Sequence, residues 1–81
     1  QVVPHVGLES ATRDWAERLV AKPALPLALA KRSIRISDGA TLEEMLDYEA
    51  DAQDRCFRSD DAREGTRAFV EKRAPNFGAG R

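Results

Sequence analysis

The sequence is short of the residues that usually build a chemical site. Its 81 residues hold one cysteine, Cys56, and one histidine, His5. A lone cysteine closes no internal disulfide, and such sparing use fits a reducing, cytoplasmic compartment. One His and one Cys far apart in sequence supply no metal framework, so no metal and no cofactor are expected. No apolar run approaches the roughly 20 residues of a membrane span, and no signal-peptide core is present, so no membrane partner is expected. The only methionine is Met45, so Gln1 is not a translational start, and the chain is expected to be a piece of something larger. The net charge of −1 lacks the basic excess of a nucleic-acid binder. Internal repeats and low-complexity segments are missing too, and strand-like alternation is confined to Gln1–Val3.

What is present is helical. At this length one small domain is the upper bound. Such a domain buries only about 60% of its unfolded surface, so a core with no partner is marginal. The pattern predicts an all-α fold, a small bundle of about four helices. Leu8, Ala11, Thr12, Trp15, Ala16, Leu19 and Val20 form one stripe of a first helix that Pro23 ends. Glu9–Arg13 and Asp14–Arg18 are acid-then-base pairs on its other side. A second helix is expected to start near Pro26 and stop at Ser37-Asp38-Gly39. Its Leu25–Ala30 segment is apolar on every side and is expected to be buried all round.

Thr41-Leu42-Glu43-Glu44 has the form of a capping box and opens a third helix, with Leu42, Met45, Leu46, Tyr48, Ala52, Cys56 and Phe57 as a thin apolar face. Ser59 and Asp60 offer the next cap, for a fourth helix presenting Ala62, Gly65, Phe69 and Val70 and ending before Pro75. Gly78, Gly80 and Arg81 read as a frayed tail. Charge is unevenly spread: Asp38 to Asp54 holds seven acidic residues and no basic one, between basic flanks. This reads as a solvated acidic helix face.

No catalytic constellation emerges. His5 beside Pro4 reads as a cap or loop residue, and Cys56, on an apolar stripe, as a small hydrophobe despite its neighbours Arg55 and Arg58. No serine stands in a nucleophile-elbow motif. Glu43 and Glu44 diverge by about 100° on a helix and cannot flank one atom. Trp15 is expected in the core. Gly65 costs its helix about 1 kcal/mol relative to Ala, which predicts close approach by another backbone or a bulky ring, inside the chain or across an interface. A helix-turn-helix reading fails because Arg63 and Arg67 share the fourth helix with Asp61, Glu64 and Glu71.

One stretch carries more. The acidic turn Asp60-Asp61, then Glu64-Gly65, then Ala68-Phe69-Val70-Glu71-Lys72-Arg73 followed by Pro75 and Phe77 resembles the C-terminal signature of the crotonase (enoyl-CoA hydratase/isomerase) family. Val2-Val3-Pro4, Ala21-Lys22-Pro23 and Leu29-Ala30-Lys31 also fall where that family has them, so the resemblance covers nearly the whole chain.

Family members are much longer. The resemblance implies that residues 1–81 are the C-terminal helical domain of such a protein, serving oligomerisation and closure of the CoA site, with the catalytic core absent. The parent is then an enzyme acting on an acyl-CoA thioester through an enolate, in fatty-acid metabolism, as a homo-oligomer (trimer or hexamer). The oxyanion-hole loops and catalytic carboxylates belong to the core, so no catalytic residue is assigned here, and this piece alone is expected to do no chemistry. The family's CoA-proximal lysine corresponds to Lys72. Where some members place an aromatic residue walling the acyl chain, this chain has Gln53 and Asp54, which leaves the acyl group open to being shorter or more polar. The rival reading is a free-standing helical oligomerisation module with no chemistry.

Overall fold

A computed structural model describes residues 1–78, and among them no strand forms. A 3-10 turn, His5–Gly7, leads into α1 (Leu8–Val20), followed by α2 (Ala24–Ser37), α3 (Leu42–Phe57) and α4 (Asp60–Glu71). The fold is all-α, a small bundle of four helices. The frayed tail expected at Gly80 and Arg81 lies outside the described residues, whereas Gly78 is fixed by a bond from its N–H to Asp61 Oδ1 at 2.8 Å.

Local chemistry sets most helix ends. Thr41 Oγ1 accepts from the Glu44 N–H and Glu44 Oε1 accepts from the Thr41 N–H, both at 3.1 Å, completing the expected capping box. Those bonds hold the Glu44 carboxyl below its ordinary range. Ser59 Oγ caps α4 by accepting from the Ala62 N–H at 3.1 Å. α2 starts earlier than expected. Pro23, extended at φ −60° and ψ 132°, is its cap, and Pro26 stands as third residue of the first turn, where a missing N–H is still harmless.

Packing runs in sequence: α2 lies on α3 and α3 on α4, while α1 packs chiefly on the 3-10 turn before it. Tyr48 on α3 ties the first pair by donating its hydroxyl to the Leu29 carbonyl of α2 at 2.8 Å. The outcome is a slab of 43 × 41 × 21 Å, with a radius of gyration of 16.1 Å. A compact chain of this length would have a radius of about 12 Å.

Two sequence expectations fail for that reason. Leu25–Ala30 is not buried all round: Leu29 is buried, but Leu27 and Ala30 are exposed. Trp15 is not core. It is 45% exposed, donates its indole N–H to Gln1 Oε1 at 2.9 Å, and carries the Arg18 guanidinium 4.1 Å from its ring centroid. Arg18 therefore serves Trp15 rather than Asp14, while the Glu9–Arg13 pair does form, at 3.5 Å.

Only Leu29 and Ala68 are buried hydrophobic residues, and fourteen large apolar side chains stay exposed among the described residues, including Phe69 at 84%. The chain exposes 6923 Å². A compact monomer of this length exposes about 4,900 Å², so about 2,000 Å² of additional surface remains in water. No helix among the described residues is long and apolar enough to cross a membrane.

Candidate functional site

The site is assembled by the end of α4 and the segment that follows it. α4 does not stop at a glycine. Lys72 takes the left-handed conformation, φ 55° and ψ 44°, as the only non-glycine residue with positive φ among those described. The Lys72 N–H donates to the Phe69 carbonyl at 3.3 Å and the Arg73 N–H to the Ala68 carbonyl at 3.0 Å. These two bonds make a Schellman cap with lysine where glycine is usual. The left-handed backbone costs a side-chain-bearing residue roughly 1–2 kcal/mol.

After Lys72 the chain doubles back along α4. Arg73 grips Glu64 with both ends of its guanidinium fork, at 2.7 and 3.1 Å, and its Nε donates to Glu71 at 2.9 Å. The Asn76 N–H donates to Glu64 Oε2 at 2.8 Å. Glu64 and Glu71 are seven residues apart, two helical turns, and so share a face. The Arg73 hydrogen bonds, then the Asn76 N–H, hold the Glu64 carboxyl down at about 2. Its bonds to Glu64, then to Glu71, push the Arg73 guanidinium up. Among the described residues the Lys72 ammonium has no carboxylate partner, and it is exposed.

Phe77 lands on the other side of the strap, over Gly65. A Cβ on Gly65 would lie 3.6 Å from Phe77 Cε1, an ordinary contact. The bulky ring expected from the glycine is therefore present and comes from the same chain, but it does not crowd the position.

Beside this ring runs an apolar groove of about 490 Å³ whose walls include Pro23, Pro26, Cys56, Phe57, Phe69 and Phe77. A second, of about 670 Å³, shares Phe57 and continues past Arg67 and Val70 to Glu71. Lys72 lines neither; it stands one residue beyond the second. Gln53 faces a smaller hollow with Leu29 and Tyr48, and the Asp54 carboxylate is engaged by Arg58. Cys56 is half-buried between hollows, as a small hydrophobe should be, and His5 opens the exposed 3-10 turn. Among the described residues no three His, Cys, Asp or Glu side chains gather as metal ligands. The arrangement offers a free cation at a rigid cap beside apolar grooves, and no acid–base pair aimed at one atom.

The family model described as enoyl-CoA hydratase/isomerase matches residues 1–80. The chain belongs to this family. It is 39% identical over 77 residues to a 1,2-epoxyphenylacetyl-CoA isomerase of Escherichia coli, covering 95% of this chain and 29% of the relative. It is 36% identical over 77 residues to a crotonyl-CoA hydratase of Syntrophomonas wolfei, covering 95% of this chain and 30% of that one. Among solved structures, an enoyl-CoA hydratase from Geobacillus kaustophilus superposes with a TM-score of 0.86 at 34% identity, covering 95% of this chain and 29% of that one. The chain thus spans under a third of the length of these relatives.

Sequence reasoning singled out Lys72 but missed Glu64 and Arg73, which fix the backbone on either side of it. Their spacing, nine residues, matches neither helical neighbour position, so they meet only after the chain reverses. Pro75 signals that a reversal comes, without saying which residue turns left-handed.

Proposed function

We propose that this chain is the C-terminal helical domain of an enoyl-CoA hydratase/isomerase-type enzyme that acts on an acyl-CoA thioester through an enolate, and that it supplies oligomer contacts and closes the CoA site. One observation carries the reading: the four helices leave about 2,000 Å² more surface exposed than a compact chain of this length. That excess is on the scale of a permanent subunit interface. In this reading the remainder of the enzyme and neighbouring subunits, in a trimer or hexamer, cover it. A cytoplasmic place in fatty-acid metabolism belongs to the same reading.

In this reading Lys72 meets the phosphate-adenosine end of CoA. Its exposed, unpaired ammonium on a flexible stem suits a mobile phosphate. The catalytic groups lie outside this chain, and none of its own carboxylates replaces them; Glu64 and Glu71, nearest in sequence, are engaged by Arg73.

The test is Lys72→Ala in the full-length enzyme, assayed with a CoA ester and with an analogue truncated before the nucleotide. A charge-assisted, solvent-exposed contact contributes about 0.5–1.5 kcal/mol, so KM for the CoA ester should rise about two- to thirteenfold with kcat nearly unchanged. Added salt should shrink the difference. An equal penalty on the truncated analogue would show that Lys72 does not touch the nucleotide.

A further inference from the structure

The fixed strap after α4 raises the question of what it is fixed for. Residues 73–78 are tied to α4 at four points: Arg73 on Glu64 and Glu71, Asn76 N–H on Glu64, Gly78 N–H on Asp61, and Phe77 over Gly65. The left-handed residue Lys72 is the hinge between the helix and its strap. Left to itself, a lysine there would leave that region readily, since the conformation is disfavoured for any side chain bearing a Cβ. Two Schellman hydrogen bonds hold it there, and the grip on the next residue ties the chain that leaves it.

The same grip has an electrostatic side. Glu64 and Glu71 share one face of α4's last two turns, and Glu71 directly precedes Lys72. Unpaired, Glu71 would attract the adjacent Lys72 ammonium and compete with an incoming anion. Arg73 occupies both.

We infer that Glu64 is a positioning residue for Lys72: through its two-pronged bond to Arg73 and its bond to the Asn76 N–H, it holds Lys72 in the left-handed cap and keeps the neighbouring carboxylates engaged, so that the ammonium is presented free to an anionic group. This rests on the proposed role of Lys72 at the CoA nucleotide. Glu64 touches no substrate; it acts through Arg73 and the backbone. Arg73 is the second half of the device, because its loss releases both Glu64 and Glu71 at once.

The experiment uses the full-length enzyme carrying this segment, with Glu64→Gln, Lys72→Ala and the double variant, assayed on the CoA ester and on the truncated analogue. Glu64→Gln should raise KM for the CoA ester by no more than Lys72→Ala does, leave kcat nearly unchanged, spare the truncated analogue, and add nothing in the Lys72→Ala background. A merely structural role would give an effect on both substrates and an additive double variant, and either result overturns the inference. Arg73→Gln breaks the same pair from the other side and should repeat the pattern, which keeps the test sound if Glu64→Gln folds poorly. A separate readout is the Lys72 backbone, followed by its Cα chemical shift. Glu64→Gln should move it away from the left-handed value, and an unmoved shift overturns the inference whatever the kinetics. Should Lys72→Ala itself fail to separate the two substrates, the nucleotide reading fails, while the backbone shift still decides whether Glu64 positions Lys72.

Discussion

Gly65→Ala separates what the helix wants from what its surroundings allow. In the interior of α4 glycine costs about 0.8–1.0 kcal/mol relative to alanine. From sequence alone, the reason for keeping it was expected to be a tight contact, and the substitution was expected to destabilise by roughly 1–3 kcal/mol through overpacking. The geometry reverses that sign within this chain. The new methyl would sit 3.6 Å from Phe77 Cε1 and 3.8 Å from Cζ, ordinary packing distances against the edge of a half-buried ring. The propensity gain is then not offset, and the substitution should stabilise the isolated chain by about 1 kcal/mol, or about 4–8 °C in Tm for a domain of this size. Thermal melts followed by circular dichroism read it directly. A fall in Tm would refute the reasoning, since it would mean that the methyl meets something closer than Phe77. The assembled enzyme offers a contrast. Gly65 lines the 490 Å³ groove, so if a partner surface fills that groove the same methyl should weaken assembly while still stabilising the free chain.

Two further outcomes follow from the exposed surface and from the strap. Stability of the isolated chain should depend on its concentration, because ordering exposed Phe57, Phe69 and Val70 against a second copy adds burial that the monomer lacks; sedimentation and melts over a hundredfold concentration range check this, and a monomer with constant Tm would count against it. Acid should loosen the strap before the helices: the Glu64 carboxyl sits at about 2, below its ordinary range, so its contribution is complete above about pH 4.5 and is lost as pH falls toward 2. Protection of the Asn76 amide, taken relative to its intrinsic exchange rate at each pH, should fall through that window, and Glu64→Gln should remove this pH dependence.

How much of this was legible in the sequence depends on how local the cause is. The Thr41–Glu44 box and the Ser59 cap are complete within four residues, and both formed as read. The start of α2 was misjudged by two residues because proline is harmless anywhere in a first turn, so Pro26 marks the turn but not its first position. Burial was the least legible feature. Leu27, Trp15 and Phe69 have the periodicity of core residues, yet that periodicity reports only that a face is apolar, not that the same chain covers it. At the candidate site the motif identified Lys72. The Glu64–Arg73 pair stayed hidden because it forms across a reversal of the chain, which no helical or strand spacing anticipates.

The left-handed Lys72 bears on function because it is locally unfavourable. Glycine at this position would carry none of the roughly 1–2 kcal/mol backbone cost, and the two Schellman hydrogen bonds need nothing from a side chain. The cap bonds themselves do not require lysine, although a cation at the C-terminus of α4 suits the helix dipole. Nor do the carboxylates Glu64 and Glu71 use it, since both are taken by Arg73. Under the proposed function, this exposed cation finds further favourable interactions outside its own chain. In a chain of the enoyl-CoA hydratase/isomerase family, the anion best suited to supply them is the phosphate-bearing end of the CoA thioester proposed as substrate.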